Sequence, residues 1–144
     1  MLRWGPGWRG TGAQPIRRTP VEFYTRHARG IDLHDGDVQG TIPGGGVLTL
    51  TAAPQGLGTV WYPTQVTLST TTGPLDTSTA QVWMGAGQVP VELVATVFSG
   101  NGTIGLAIPQ LSPGQSIIVK WTGANPGDIA GAHVVGTMDA LLAM

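Results

Sequence analysis

The densest group of side chains that could do chemistry lies between residues 32 and 37. Asp32, His34, Asp35 and Asp37 place three carboxylates and an imidazole within six residues. Such a set could bind calcium or a transition metal. Its spacing does not match an EF-hand loop, which needs acids at alternating positions and a distal Glu. Because Asp and Gly are also the usual residues of turns, a solvated turn is favoured and no metal is predicted.

Other catalytic signals are weak. The histidines occur singly, at 27, 34 and 133, and a catalytic triad needs a histidine held beside a nucleophile. No Gly-x-Ser-x-Gly motif is present, and the glycines at 44–46 lack the Lys-Ser/Thr of a phosphate-binding loop. Cysteine is absent, which excludes a disulfide framework, a thiolate zinc site and a cysteine nucleophile. We therefore expect neither an enzyme nor a cofactor.

A different chemistry is concentrated in the first thirty residues. Six of the seven basic side chains lie there against one acid, Glu22, a formal charge of +5. Residues 31–144 contain one cation, Lys120, and seven acids, a formal charge of −6. Prolines and glycines in the first segment prevent a long helix, so it is predicted to be an extended arm. Its candidate partner-binding residues are Arg3, Trp4, Trp8, Arg9, Arg17, Arg18, Phe23 and Tyr24.

Arginines interleaved with aromatic rings suit two kinds of partner. On a single-stranded nucleic acid, the cations would meet phosphates and the rings would stack on bases. The acidic remainder of the chain and its overall charge of −1 oppose binding to a phosphate polymer. Docking on an acidic protein surface is favoured, because arginine and aromatic side chains are enriched as interface anchors. The predicted partners are other protein subunits, including copies of this chain, and nucleic acid is not expected.

The rest of the sequence predicts an all-β domain. Only 10% of the residues are charged, 41% are hydrophobic, and glycine and proline are abundant, which is typical of strands joined by many turns. Seven strands at a spacing of about ten residues favour an antiparallel, jelly-roll-like β-sandwich. The predicted boundaries are an arm and linker over 1–40 and a sandwich domain over 41–144. The predicted strands are Val47–Thr51, Val60–Thr70, Ala80–Met84, Val89–Phe98, Ile104–Ile108, Ser116–Thr122 and His133–Met138.

Three local features refine this prediction. Residues 31–46, which end in Pro-Gly-Gly-Gly, indicate a linker. Pro63 favours an edge position or a bulge in its strand, since proline cannot donate to a ladder. The Asn101-Gly102 pair predicts a hairpin that joins the fourth and fifth strands, because both turn positions need positive φ.

Three tryptophans lie inside alternating strands, at Trp61, Trp83 and Trp121. With the Ser/Thr-rich loop over 70–79 they could form a platform for carbohydrate. Core positions are favoured, because a tryptophan in a strand more often packs inside a protein or at an interface.

No stretch approaches the ~20 apolar residues of a membrane span, so no membrane contact is expected. No apolar run follows the first three residues, as it would in a signal peptide. The expectation is synthesis in a cytoplasm and use without membrane insertion.

Two segments resemble a known family: VWYPTQVTLSTTTGPLDTSTAQVWMG at 60–85 and LSPGQSIIVKWTGANPGDIA at 111–130. They are similar to small β-sandwich virion proteins of tailed bacteriophages that infect actinobacteria, generally called minor tail proteins. The resemblance extends over residues 40–138 and does not include the basic arm. It implies an assembly role on the virion, at the tail or the head surface, and it implies no active-site residue. A capsid decoration or cement protein and a host-surface carbohydrate-binding module remain the alternatives.

Overall fold

The computed structural model describes residues 25–56, 58–72 and 78–143, and the side chains among them from residue 29 to residue 140. Ala28–Ala140 forms one compact unit, which contains the core of the molecule. The predicted arm lies mostly in residues 1–24, outside the described residues.

Nine strands make up the secondary structure of the described residues. None of those residues belongs to a helix that could cross a membrane. In chain order the strands are β1 (Thr25–Asp32), β2 (Asp37–Thr41), β3 (Leu48–Ala52), β4 (Val60–Thr70), β5 (Thr79–Ala86), β6 (Val89–Val97), β7 (Gly102–Gly105), β8 (Gln115–Thr122) and β9 (Ile129–Ala143).

The strands form two sheets that pack face to face. One sheet has the order β1-β9-β4-β7, with β2 also paired to β9, and is called the five-stranded sheet. The other has the order β3-β8-β5-β6 and is called the four-stranded sheet. Neighbouring strands run antiparallel, as in the pairing of β4 with β9 and of β5 with β8. The predicted all-β fold, an antiparallel β-sandwich, is confirmed.

The core lies between the sheets because side chains alternate between the two faces of a strand. On β8, Ile117, Val119 and Trp121 point inward and are at most 1% exposed. On β4, Val66 and Leu68 face them from the other sheet and are at most 2% exposed. Burying each such apolar side chain contributes about 1.5–3 kcal/mol to stability.

The segment predicted to be a linker contains β2, and β1 precedes it within the predicted arm. Both strands lie along β9, and the bend between them stays attached to β9 through two backbone hydrogen bonds. The Leu33 amide donates to the Gly136 carbonyl at 3.0 Å, and the Val134 amide donates to the Gly36 carbonyl at 2.9 Å. Residues 25–41 therefore contribute strands to the sandwich.

Pro63 lies at a β-bulge, as predicted. The pairing of β4 with β9 shifts register between Pro63 and Gln65. Opposite Pro63 stands Gly136, where a Cβ would overlap the carbonyl oxygen of Tyr62. The bulge therefore depends on glycine in the partner strand.

The prediction that Asn101-Gly102 closes a hairpin is wrong. β6 pairs with β5, whereas β7 pairs with β4 in the other sheet, so the turn over 99–102 carries the chain between sheets. Its carbonyl at Gly100 accepts a 3.1 Å hydrogen bond from Trp121 Nε1, and Asn101 Oδ1 accepts from the Thr70 amide at 2.8 Å. The turn is thus anchored to both sheets, and the chain crosses the edge of the sandwich there.

Candidate functional site

The eight predicted partner-binding residues of the arm lie within residues 1–24, outside the described residues. Their role stays a prediction. The Ser/Thr-rich loop over 70–79, considered above as part of a carbohydrate platform, also lies partly outside them, since residues 73–77 are not described.

The acidic cluster at 32–37 forms the exposed bend between β1 and β2. His34 Nδ1 lies 3.1 Å from Asp35 Oδ1, and the two side chains are 63% and 48% exposed. In the described part of the chain, no three or more His, Cys, Asp or Glu side chains come together in a way that could hold a metal ion. The bend is a solvated acidic surface.

A polar row across the five-stranded sheet was not predicted. The register places Asp37 opposite His133, His133 opposite Thr67, and Thr67 opposite Thr103. His133 Nδ1 lies 3.3 Å from Asp37 Oδ1, and the two threonine hydroxyls are 3.0 Å apart. Acid, imidazole and hydroxyl follow the order of a catalytic triad, but His133 is 52% and Asp37 is 81% exposed. Such open exposure lacks the water-excluded setting in which these groups become effective catalysts.

Asp139 links three strands near the other end of the same sheet. Its carboxylate accepts hydrogen bonds from the Tyr62 hydroxyl at 3.1 Å and from the Gly30 amide at 2.8 Å. The hydrogen bond to Asp139 raises the pKa of Tyr62 above its usual value of 10.0, and desolvation and the carboxylate charge add to the shift. Both carboxylate oxygens are engaged, so we interpret this group as a structural link.

The three tryptophans occupy different environments. Trp61 and Trp121 are fully buried in the core, as predicted. Trp83 is only half-buried, and it lies on the outer face of the four-stranded sheet. The core prediction is therefore wrong for Trp83, because β5 carries apolar residues on both of its faces.

Trp83 lines a groove of about 390 Å³ on the outer face of the four-stranded sheet. All four strands and the turn between β5 and β6 contribute to it. We call it the outer groove, and its lining residues are Thr49, Gln81, Trp83, Gln88, Pro90, Ile118 and Lys120.

The register explains how these residues meet. One cross-strand row places Thr49 opposite Lys120 and Lys120 opposite Gln81. In the next row Ile118 lies opposite Trp83. The first row is polar and the second apolar, so the outer groove has an apolar floor beside a polar rim.

The turn between β5 and β6 forms a wall of the outer groove by folding over the outer face. The Ser116 hydroxyl donates to the Gly87 carbonyl at 2.6 Å, and the Thr51 hydroxyl donates to Gln88 Oε1 at 3.1 Å. Ile118 is consequently fully buried although it points away from the core. Gly85 makes this packing possible, because a Cβ there would lie 2.5 Å from Ile118 Cδ1.

A second distinctive surface is the edge strand β6, which among the described residues pairs with β5 alone. Large apolar side chains along and just after it are exposed: Val89 by 63%, Val91 by 67%, Leu93 by 45% and Phe98 by 80%. The strand also borders another groove of about 400 Å³, lined in part by Glu92, Leu93 and Ile108. We call this apolar edge, which consists of residues 89–98, the β6 surface.

Comparison of the chain with models of protein families finds no match, and comparison with curated protein sequences finds none either. The surfaces of the sandwich and the sequence itself are therefore the basis for assigning a function.

Proposed function

We propose that the chain is a structural protein of a bacteriophage virion, a minor tail protein that packs on neighbouring subunits through its sandwich. The single observation that carries the proposal is the exposed apolar β6 surface. The resemblance of residues 60–85 and 111–130 to virion proteins is the reason for proposing a virion as the assembly to which the chain belongs. The proposal assigns no catalytic role to the chain.

The β6 surface suits a protein partner in two respects. An edge strand presents unpaired backbone N–H and C=O groups along one side, and proteins usually protect such edges with lysine, proline or bulges. In β6 only Pro90, Glu92 and two register shifts against β5 oppose pairing. Apolar side chains accompany these free backbone groups, and contiguous exposed apolar patches mark interaction sites. A neighbouring subunit is the occupant that satisfies both features.

The arm adds a second contact, which is electrostatic, whereas the contact at the β6 surface is apolar. Its cations complement the exposed acids Asp32, Asp35 and Asp37 at the bend between β1 and β2. We propose that the arm of one copy binds this acidic bend on the next. A subunit held by two contacts dissociates only when both are broken at the same time. Its overall affinity therefore exceeds that of either contact alone.

The test is incorporation of variants into virions. Val91→Lys combined with Phe98→Ser places a charge and a hydroxyl on the β6 surface, where neither side chain supports the core. We expect this protein to fold with the wild-type melting temperature but to be missing from purified particles. A matched control, Ile129→Lys, alters a residue that is 43% exposed on the other sheet and should be incorporated normally. Normal incorporation of the β6 variant would contradict the proposal.

The arm is tested by deleting residues 1–24, which leaves β1 intact. We expect a folded protein with reduced occupancy in the particle. Wild-type occupancy would remove the arm from the proposal and leave the β6 surface as the only contact. A count of copies per particle then distinguishes a tail ring from the alternative, a layer that decorates the head.

A further inference from the structure

We propose that the outer groove binds an acidic saccharide, meaning a sugar ring that carries a carboxylate or a phosphate. This ligand site is independent of the proposed assembly role. The groove opens on the face of the four-stranded sheet, whereas the free backbone groups of β6 lie along the sheet edge. The two surfaces share Pro90 and otherwise consist of different residues.

The size and the floor of the outer groove suit a small ring. Its volume of about 390 Å³ is near the lower end of the roughly 300–1,000 Å³ of small-molecule sites. Trp83 forms the accessible apolar floor and is only half-buried, and the fully buried Ile118 lies opposite it in the same cross-strand row. A pyranose ring presents C–H groups on one face, which pack well against a tryptophan, and hydroxyl groups at its edges.

The rim matches those hydroxyl groups. Thr49, Gln81 and Gln88 provide a hydroxyl and two amides, which can both donate and accept hydrogen bonds. Gln88 Oε1 already accepts from Thr51, so its amino group remains available to a ligand. Gln81 has no side-chain hydrogen bond to any described residue. A polyol uses such mixed donors and acceptors better than an apolar peptide does.

Lys120 specifies the charge of the ligand. It is the only cation in residues 31–144, and it lies in the outer groove. Its ammonium group is exposed and forms no ion pair with a described residue. No carboxylate lines the groove among the described residues. An unpaired ammonium beside a tryptophan favours a ligand with a negative group over a neutral sugar, and it opposes a cationic ligand.

The experiment titrates the full-length, ¹⁵N-labelled protein with three probes. They are a hyaluronan tetrasaccharide, the same tetrasaccharide with its carboxylates reduced to alcohols, and glucose 6-phosphate. The readout is the indole N–H signal of Trp83, assigned with Trp83→Phe. We expect the acidic tetrasaccharide to shift this signal and to bind about two- to fivefold more tightly than its reduced form, the effect of an exposed ion pair. The phosphate sugar shows which acidic group is preferred.

Two variants separate the contributions of ring and charge. Trp83→Ala should weaken binding of the acidic tetrasaccharide at least about tenfold, as loss of a central aromatic anchor does. Lys120→Gln should abolish the preference for the acidic form and the weakening of binding by salt. The matched controls are Phe98→Ala, an exposed ring outside the groove, and Arg29→Gln, an exposed cation on the other sheet. Both should bind like the wild type.

Three outcomes would overturn the proposal. Equal affinity for the acidic and the reduced tetrasaccharide would remove the role of Lys120. If none of the three probes shifts the Trp83 signal, the outer groove does not bind an acidic saccharide. A particle structure in which another protein fills the outer groove would reassign this face to assembly.

Discussion

Replacing Gly85 by alanine should destabilise the protein, because the first residue of β6 and two side chains of β8 pack directly against that position. An added Cβ would lie 2.5 Å from Ile118 Cδ1, 2.8 Å from the Val89 carbonyl oxygen and 2.9 Å from Ser116 Oγ. Real Cβ atoms do not approach other atoms so closely, so the turn must move. The φ angle of Gly85 is not in the left-handed region, so the cost is steric.

The magnitude follows from three contributions. Overpacking of this kind costs about 1–3 kcal/mol. Movement of the turn also weakens the Ser116–Gly87 hydrogen bond, which is worth about 0.5–1.5 kcal/mol. In the opposite direction, alanine lowers the conformational entropy of the unfolded chain, which stabilises the folded protein by about 0.4–1 kcal/mol. We expect a net loss of about 0.5–4 kcal/mol in the free energy of unfolding, given these opposing contributions.

Urea unfolding followed by tryptophan fluorescence measures this loss. The matched control is Gly105→Ala, since no atom lies within 4 Å of the Cβ position and its φ is also ordinary. The control should be neutral or stabilised by up to about 1 kcal/mol. The same Gly85 variant should also lose saccharide binding, because the turn forms a wall of the outer groove. A Gly85→Ala protein as stable as the control would refute the packing of the turn over Ile118.

Two further predictions concern hydrogen bonds of the sandwich. Thr72→Val should lower the free energy of unfolding by about 1–3 kcal/mol, measured by urea unfolding. The buried Thr72 hydroxyl donates to Asp128 Oδ2 at 2.9 Å and accepts from the Asn125 backbone amide at 3.1 Å, and valine can make neither bond. An unchanged urea midpoint would contradict this. Asp139→Asn should lower the pKa of Tyr62, measured by ultraviolet titration of tyrosinate in a Tyr24→Phe background. Because the folded-state pKa of Tyr62 is raised, its stabilisation is fully present below the unfolded value of 10.0 and is lost as pH rises through the folded value. Equal titration curves for the two proteins would argue against the Tyr62–Asp139 hydrogen bond.

The strands that alternate clearly could be predicted from the sequence. β4 and β8 carry apolar residues at every second position over most of their length, and both were predicted with bounds close to those observed. β1 and β2 escaped prediction because their sequences, TRHARGID and DVQGT, contain few apolar or β-branched residues. Their pairing depends on the length of β9, which lies about a hundred residues further along the chain.

The turn over 99–102, where the chain crosses between the sheets, shows a second limit of prediction from the sequence. Asn101-Gly102 indicates a reversal of the chain, but turn residues do not determine which strand the returning segment pairs with. That choice depends on the two sheets, through the Trp121–Gly100 hydrogen bond and the pairing of β7 with β4.

The outer groove could not be predicted for a related reason. Val82 and Trp83 are neighbours in a strand that is apolar on both faces, so alternation alone does not say which residue faces the core. Ile118 and Val119 pose the same ambiguity on β8. The turn over 87–88 and the start of β6 resolve it by covering Ile118 from outside, and such packing depends on the absent Cβ of Gly85. The sequence contains all of the lining residues, but it does not show that they lie together, because that depends on the register in which the strands pair.

A density map of the assembled particle at side-chain resolution tests the proposed assembly role most directly. We predict that a neighbouring subunit lies against β6 and covers Val91 and Phe98, with the backbone of the edge strand hydrogen-bonded to it or shielded by it. A particle in which β6 faces solvent along its whole length, or one that lacks this chain altogether, would contradict the account.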